Sequence, residues 1–138
     1  MSRRLARAAL TMVLTALLTI VGCALVSFAQ TGVLSAEDGL RFAATSAGLG
    51  FLLWAVTAVV NALRTPTVVT RRTVAVSVLS ALVAAIINVL FWVVLALFAG
   101  EWAWLFASIA VIGSLVFVVA AWVSSAVASI LIRPVVTP

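Results

Sequence analysis

Four long stretches of this chain, roughly 8–30, 40–63, 73–99 and 102–132, carry almost no ionisable side chain between their ends. The hydrocarbon core of a bilayer is about 30 Å thick and an α-helix rises about 1.5 Å per residue, so about 20 apolar residues suffice to cross it. Each stretch exceeds that length. Hydrocarbon offers no hydrogen bonds to a bare backbone, and a helix satisfies its own amides and carbonyls. The pattern therefore predicts an all-α integral membrane protein, a four-transmembrane-helix bundle with antiparallel neighbours. The spans take up nearly all of the 138 residues, which leaves a single membrane domain, 1–138, and no room for a soluble one.

The charges that remain lie at span ends and are sorted by sign. Arg3, Arg4, Arg7, Arg64, Arg71, Arg72 and Arg133 fall in the two termini and the 64–72 connection, whereas Arg41 lies with Glu37, Asp38 and Glu101 at the opposite ends of the spans. Arginine accumulates on the cytoplasmic side, so both termini are expected to face the cytoplasm. An excess of arginine can also signal nucleic-acid binding, but basic residues confined to span ends are a topology signal and predict no nucleic-acid partner. Lysine is absent while Ala and Val are abundant. That usage suits a GC-rich bacterial genome and places the chain in a bacterial plasma membrane.

Local signals set the helix limits. Ser35-Ala36-Glu37-Asp38 puts a capping hydroxyl and two acids at the start of the second span. Arg64-Thr65-Pro66-Thr67 ends that span, because proline cannot donate to the helix ladder and disfavours helical geometry before it. Gly100 is placed to cap the third span just before Glu101, which makes the third and fourth helices an antiparallel hairpin. Trp102, Trp104 and Trp122 read as interfacial anchors. The first span has a second reading. Arg3, Arg4 and Arg7 followed by Ile20-Val21-Gly22-Cys23 resemble a lipoprotein signal, but the apolar run continues through Ala24, Leu25, Val26 and Phe28, so Cys23 is expected to be a small buried hydrophobe.

The inventory of reactive groups is short. With no histidine or lysine, and with the three acids at helix ends, the chain has no evident general base, Schiff-base amine or ligand set, so no catalytic residue, cofactor or metal is expected. No carboxylate lies at membrane depth, where coupled transport commonly places one. What remains is a set of small and weakly polar positions at helical spacing: Thr11, Thr15 and Thr19, continued by Gly22 or Cys23, in the first span; Ala44, Gly48, Ala55, Ala58 and Ala62 in the second; Ser77, Ala81, Ala84 and Asn88 in the third; Ala107, Ser114, Ala121, Ser125 and Ala128 in the fourth. Such faces let helices approach closely in lipid, and all four are expected to pack inward.

Asn88 is the most polar side chain at depth. Counting heights along the spans puts Thr19 to Cys23, Gly48 and Ser114 near its level, and Asn88, Thr19, Ser114 and Gly48 form a predicted structural polar plane. Arg64, Arg71 and Arg72 are predicted to meet lipid headgroups on the cytoplasmic side. These features favour a small non-enzymatic accessory or assembly subunit, or a scaffold, whose partners are the lipid bilayer and other membrane protein subunits or further copies of itself. The competing readings are an oligomeric transporter or pore-former, including a holin-like one, and, behind it, a lipid-acting enzyme or flippase.

Overall fold

The computed structural model describes residues 3–64 and 70–131. They form four helices, α1 (Arg3–Thr31), α2 (Ala36–Arg64), α3 (Thr70–Ala99) and α4 (Glu101–Leu131). Each contains a segment long and apolar enough to cross a membrane: Leu5–Thr31, Ala36–Val60, Ala75–Ala99 and Trp104–Ala128. The helix-breaking segment expected around Pro66 lies outside the described residues.

Glycine ends two of the helices. Gly32 has φ 76° and donates to Phe28 O at 2.8 Å; Gly100 has φ 89° and donates to Ala96 O at 3.2 Å. In this left-handed region a Cβ would crowd the backbone, so glycine closes the helix where other residues would strain it. Ser35 starts α2 as its sequence suggests: Gly39 N donates to its carbonyl at 3.1 Å, and Asp38 N lies 3.5 Å from its hydroxyl, at the edge of hydrogen-bonding range.

The helices pack in the cyclic order α1–α2–α3–α4, with α2 and α4 also meeting across the diagonal, while α1 and α3 do not touch among the described residues. Hydrogen bonds fix the register. Ser77 pairs with Ser125 and Asn88 with Ser114, so eleven residues up α3 correspond to eleven down α4, the antiparallel arrangement. The diagonal contact depends on Gly113 of α4. A Cβ there would collide with the side chain of Ser46 on α2, so any larger residue would push the two helices apart.

The interior and exterior are sorted as in a membrane protein. Leu17, Leu52, Leu90, Phe98 and Leu115 point outward, whereas the core is built from Ala47, Ala81, Ala84, Ala85 and Ala121 around the fully buried Trp54 and Phe117. So much exposed apolar surface would drive aggregation in water, but lipid tails solvate it without penalty. Alanine lets the backbones close in, and the aromatics fill the space left between them. Trp54 and Phe117 meet edge to face with ring centroids 5.7 Å apart, and Phe51 completes the cluster.

The small faces of α1, α3 and α4 are the buried ones: Thr11, Thr15 and Thr19, then Ala81, Ala84 and Asn88, then Ala107, Ser114, Ala121, Ser125 and Ala128. On α2 the expectation fails. Ala44 is exposed, and a Cβ added to Gly48 would meet nothing within 4 Å. The inward face is instead Ala43, Ser46, Ala47, Gly50 and Trp54. The largest side chain set the rotation of the helix. Turning Trp54 inward buries its whole indole and gives its N–H an acceptor, and the Ala44–Gly48 face is carried outward as a result.

Candidate functional site

Asn88 stands beside the midpoint of the apolar segment of α3 and is fully buried. Its amide nitrogen donates to Ser46 O of α2 at 2.6 Å and to Ser114 Oγ of α4 at 3.0 Å. Both N–H groups are thereby used, each on a different helix. Glycine makes the first bond possible: a Cβ at Gly50 would sit 3.3 Å from both Asn88 Cβ and Ala84 O, so its absence lets α3 approach α2. A carbonyl has two lone pairs, so Ser46 O can serve both the α2 ladder and Asn88. The Ser46 hydroxyl donates along its own helix to Phe42 O at 2.6 Å. Cys23 of α1 is fully buried.

Asn88 Oδ1 makes no hydrogen bond among the described residues. A buried acceptor left so costs about 1–3 kcal/mol, which offsets part of what the two donor bonds contribute.

A second polar cluster, centred on Ser77, lies about three turns of α3 nearer the end that carries the chain termini. Ser77 and Ser125 share a hydrogen bond of 2.8 Å between their hydroxyls, and Ser77 O accepts from Trp54 Nε1 at 3.1 Å and from Ser80 Oγ at 2.9 Å. Ser77 thus joins α2, α3 and α4 through one residue. The fully buried Ser124 Oγ, one position away on α4, has no hydrogen-bond partner among the described residues. The Trp54–Phe117–Phe51 cluster packs between the two layers and separates them with apolar surface.

Of the polar plane expected from the sequence, Asn88 and Ser114 are in direct contact and the other two members are elsewhere. Thr19 donates to Thr15 O at 2.6 Å, within a ladder in which Thr15 donates to Thr11 O and Thr11 to Arg7 O, so its hydroxyl is consumed by its own helix. It makes no hydrogen bond to Asn88, and the backbones of α1 and α3 stay apart among the described residues. Gly48 is half-buried and faces open space where a Cβ would stand, off the inward face set by Trp54. Ser46 takes the α2 position in the layer. Its sequence context, a hydroxyl one turn before Gly50, held the signal, but Thr45 beside it is equally polar and only the rotation of α2 chooses between them.

The chemistry available in the two layers is that of neutral donors and acceptors: amide, hydroxyl, thiol and indole. Among the described residues no group of three or more His, Cys, Asp or Glu comes together. The one ion pair found among them, Arg41 Nη2 to Glu37 Oε1 at 2.7 Å, lies on an exposed helix end. Trp104 and Trp122 are both exposed on α4. The side chains of Trp102, Arg64, Arg71 and Arg72 lie outside the described residues. No protein-family model, curated protein or solved structure matches this chain.

Proposed function

We propose that the chain is a non-enzymatic accessory or assembly subunit, or scaffold, of a bacterial plasma-membrane complex, with both termini in the cytoplasm and lateral contacts to other membrane proteins or to itself. One observation carries the reading. Asn88, the most polar side chain at mid-membrane, spends both N–H groups on neighbouring helices and is closed off from the surface. A residue retained for a substrate or ion would have to present those groups to a path, whereas one that clamps α2, α3 and α4 together gives the bundle a defined exterior for partners to recognise. The orientation rests on the arginine count: seven of eight fall in the two terminal segments and the 64–72 connection. At that end Arg64, Arg71 and Arg72 would meet anionic headgroups, each contributing about 1 kcal/mol.

Affinity purification of the tagged chain in mild detergent tests the role, with a stoichiometric membrane-protein partner or a stable self-assembly as the expected result. A homo-oligomer that makes liposomes leak would replace the reading with pore formation. Reporter fusions test the orientation: cytoplasmic activity is expected at Pro138 and between residues 65 and 70, and none near residue 35.

A further inference from the structure

Arg41 and Arg7 sit in opposite surroundings. Arg41 is exposed and paired with Glu37, whereas Arg7 is only 9% exposed and shares the inward face of α1 with Thr11, whose hydroxyl donates to Arg7 O at 2.8 Å. Arginine keeps its charge at any physiological pH. Glu37, Asp38 and Glu101 are the only acidic side chains of the chain, and they open α2 and α4. α2 runs antiparallel to both neighbours: Gly39 packs against Ile20 and Ala24 of α1, while Trp54 and Ser46 meet Ser77 and Asn88 of α3. The acids therefore lie at the far end of the bundle, about 35 Å along α1 from Arg7. At its own end Arg3 and Arg4 of α1, Arg64 at the end of α2, and Arg71 and Arg72 in the first turn of α3 add only like charge. Neutral neighbours can accept hydrogen bonds from a guanidinium, but they leave its charge uncompensated, and an enclosed charge without a counter-charge is costly.

We propose that Arg7 binds the phosphate of an anionic phospholipid at this end of the bundle. Depth selects the occupant. Leu5 opens the apolar segment of α1, so Arg7 stands just inside it, and helical side chains lean toward the N-terminus, which carries the guanidinium back toward the headgroups. A lipid phosphate is held at that level with its acyl chains already in the apolar phase, whereas a free phosphate would have to leave water to reach it. The planar guanidinium matches two phosphate oxygens, and such a contact strengthens where water is scarce. The acyl chains then have Val13, Leu17 and Val21, all exposed on α1, to run along. The other arginines at this end draw anionic lipid to the bundle; Arg7 holds one molecule of it. The site requires only that α1 cross a bilayer, so it stands in either orientation and whether or not the chain is a scaffold.

Native mass spectrometry and thermal unfolding of the full chain in a neutral detergent, with added phosphatidylglycerol, phosphatidylcholine or inorganic phosphate, test it. Wild type should retain one phosphatidylglycerol and be stabilised by it at concentrations where the other two have little effect. Arg7→Gln should weaken phosphatidylglycerol binding about thirtyfold or more, the loss of a bidentate charge-assisted contact. It should leave the lipid-free chain at least as stable as wild type, since an uncompensated charge is removed. Arg3→Gln takes the same formal charge from the same end and should weaken binding about fivefold or less, the share of a diffuse attraction. Arg7→Lys keeps the charge without the fork and should fall between the two. Equal losses from Arg3→Gln and Arg7→Gln, or a wild type that retains no phosphatidylglycerol, overturn the site. So does a lipid-free Arg7→Gln chain less stable than wild type, because the fold would then already balance the charge. Stabilisation by inorganic phosphate equal to that by the lipid, and lost with Arg7→Gln, would make free phosphate the ligand and overturn the lipid assignment.

Discussion

The two polar layers join the same three helices by different means. Midway along the apolar segment of α3, Asn88 reaches out with a flexible amide and binds Ser46 O and Ser114 Oγ across the gaps. About three turns away, Ser77 is approached rather than reaching: the Trp54 indole comes to its carbonyl and the Ser125 hydroxyl to its own. The first layer is mainly hydrogen bonding with an unused acceptor; the second is mainly packing, with hydrogen bonds that aim a large ring. Membrane hydrogen bonds average only about 0.6 kcal/mol each, whereas truncating a buried aromatic costs about 3–5 kcal/mol in well-packed interiors. The less conspicuously polar layer should therefore contribute more stability, and the Asn88 layer more to which helices meet and at what height.

The sharpest way to break this ranking is at Trp54. Trp54→Ala should destabilise the folded chain by about 3–5 kcal/mol, read as reversible unfolding in mixed micelles. Trp54→Phe, which keeps much of the ring but loses the N–H bond to Ser77 O, should cost far less, and a cost equal to that of alanine would mean that the hydrogen bond dominates after all. Next in size is the diagonal contact. Gly113→Ala places a Cβ against the Ser46 side chain and should cost about 1–3 kcal/mol through overpacking. Pairing it with Ser46→Gly, which removes the opposing atoms, should recover most of the loss in the same assay. Failure to recover would show that α2 and α4 are held apart by something other than this contact.

Asn88→Leu should have a smaller effect. Two membrane hydrogen bonds of about 0.6 kcal/mol each are lost, while the unsatisfied Oδ1 disappears with them, so the net destabilisation should stay near or below about 1 kcal/mol. A double-mutant cycle between Asn88→Leu and Ser114→Ala should show coupling of about 0.6 kcal/mol. Unchanged stability combined with loss of a measured ion or solute flux would move Asn88 from a clamp to a pathway.

The four helices were legible because charge placement and hydrocarbon thickness leave a membrane chain few choices. Gly100 was legible too, since its position before Glu101 demanded an abrupt reversal. The inward faces of α1, α3 and α4 followed from small residues repeating at helical spacing. On α2 that logic misled, because two faces compete: Ala44 and Gly48 on one, Trp54 with Ala43, Ala47 and Gly50 on the other. The choice is made by a carbonyl 23 residues away, at Ser77, which no local spacing encodes. Ser46 was hidden for the same reason, and Thr19 was misplaced because equal height says nothing about adjacency. The α2–α4 diagonal, closed where Gly113 meets Ser46, occupies the centre across which α1 and α3 would otherwise meet.

Thr19 supplies the finest test of that last point. Its hydroxyl donates to Thr15 O, so it presents chiefly its methyl group to the bundle. Thr19→Val keeps the shape and removes a bond made within one helix to a carbonyl that the α1 ladder already uses. The stability change should therefore be within about 0.5 kcal/mol, smaller than for any substitution above. A double-mutant cycle of Thr19→Val with Asn88→Leu should be additive within about 0.3–0.5 kcal/mol, the behaviour of sites that share no partner. Coupling comparable to that between Asn88 and Ser114 would require α1 and α3 to meet, and would replace the α2–α4 diagonal with the opposite one.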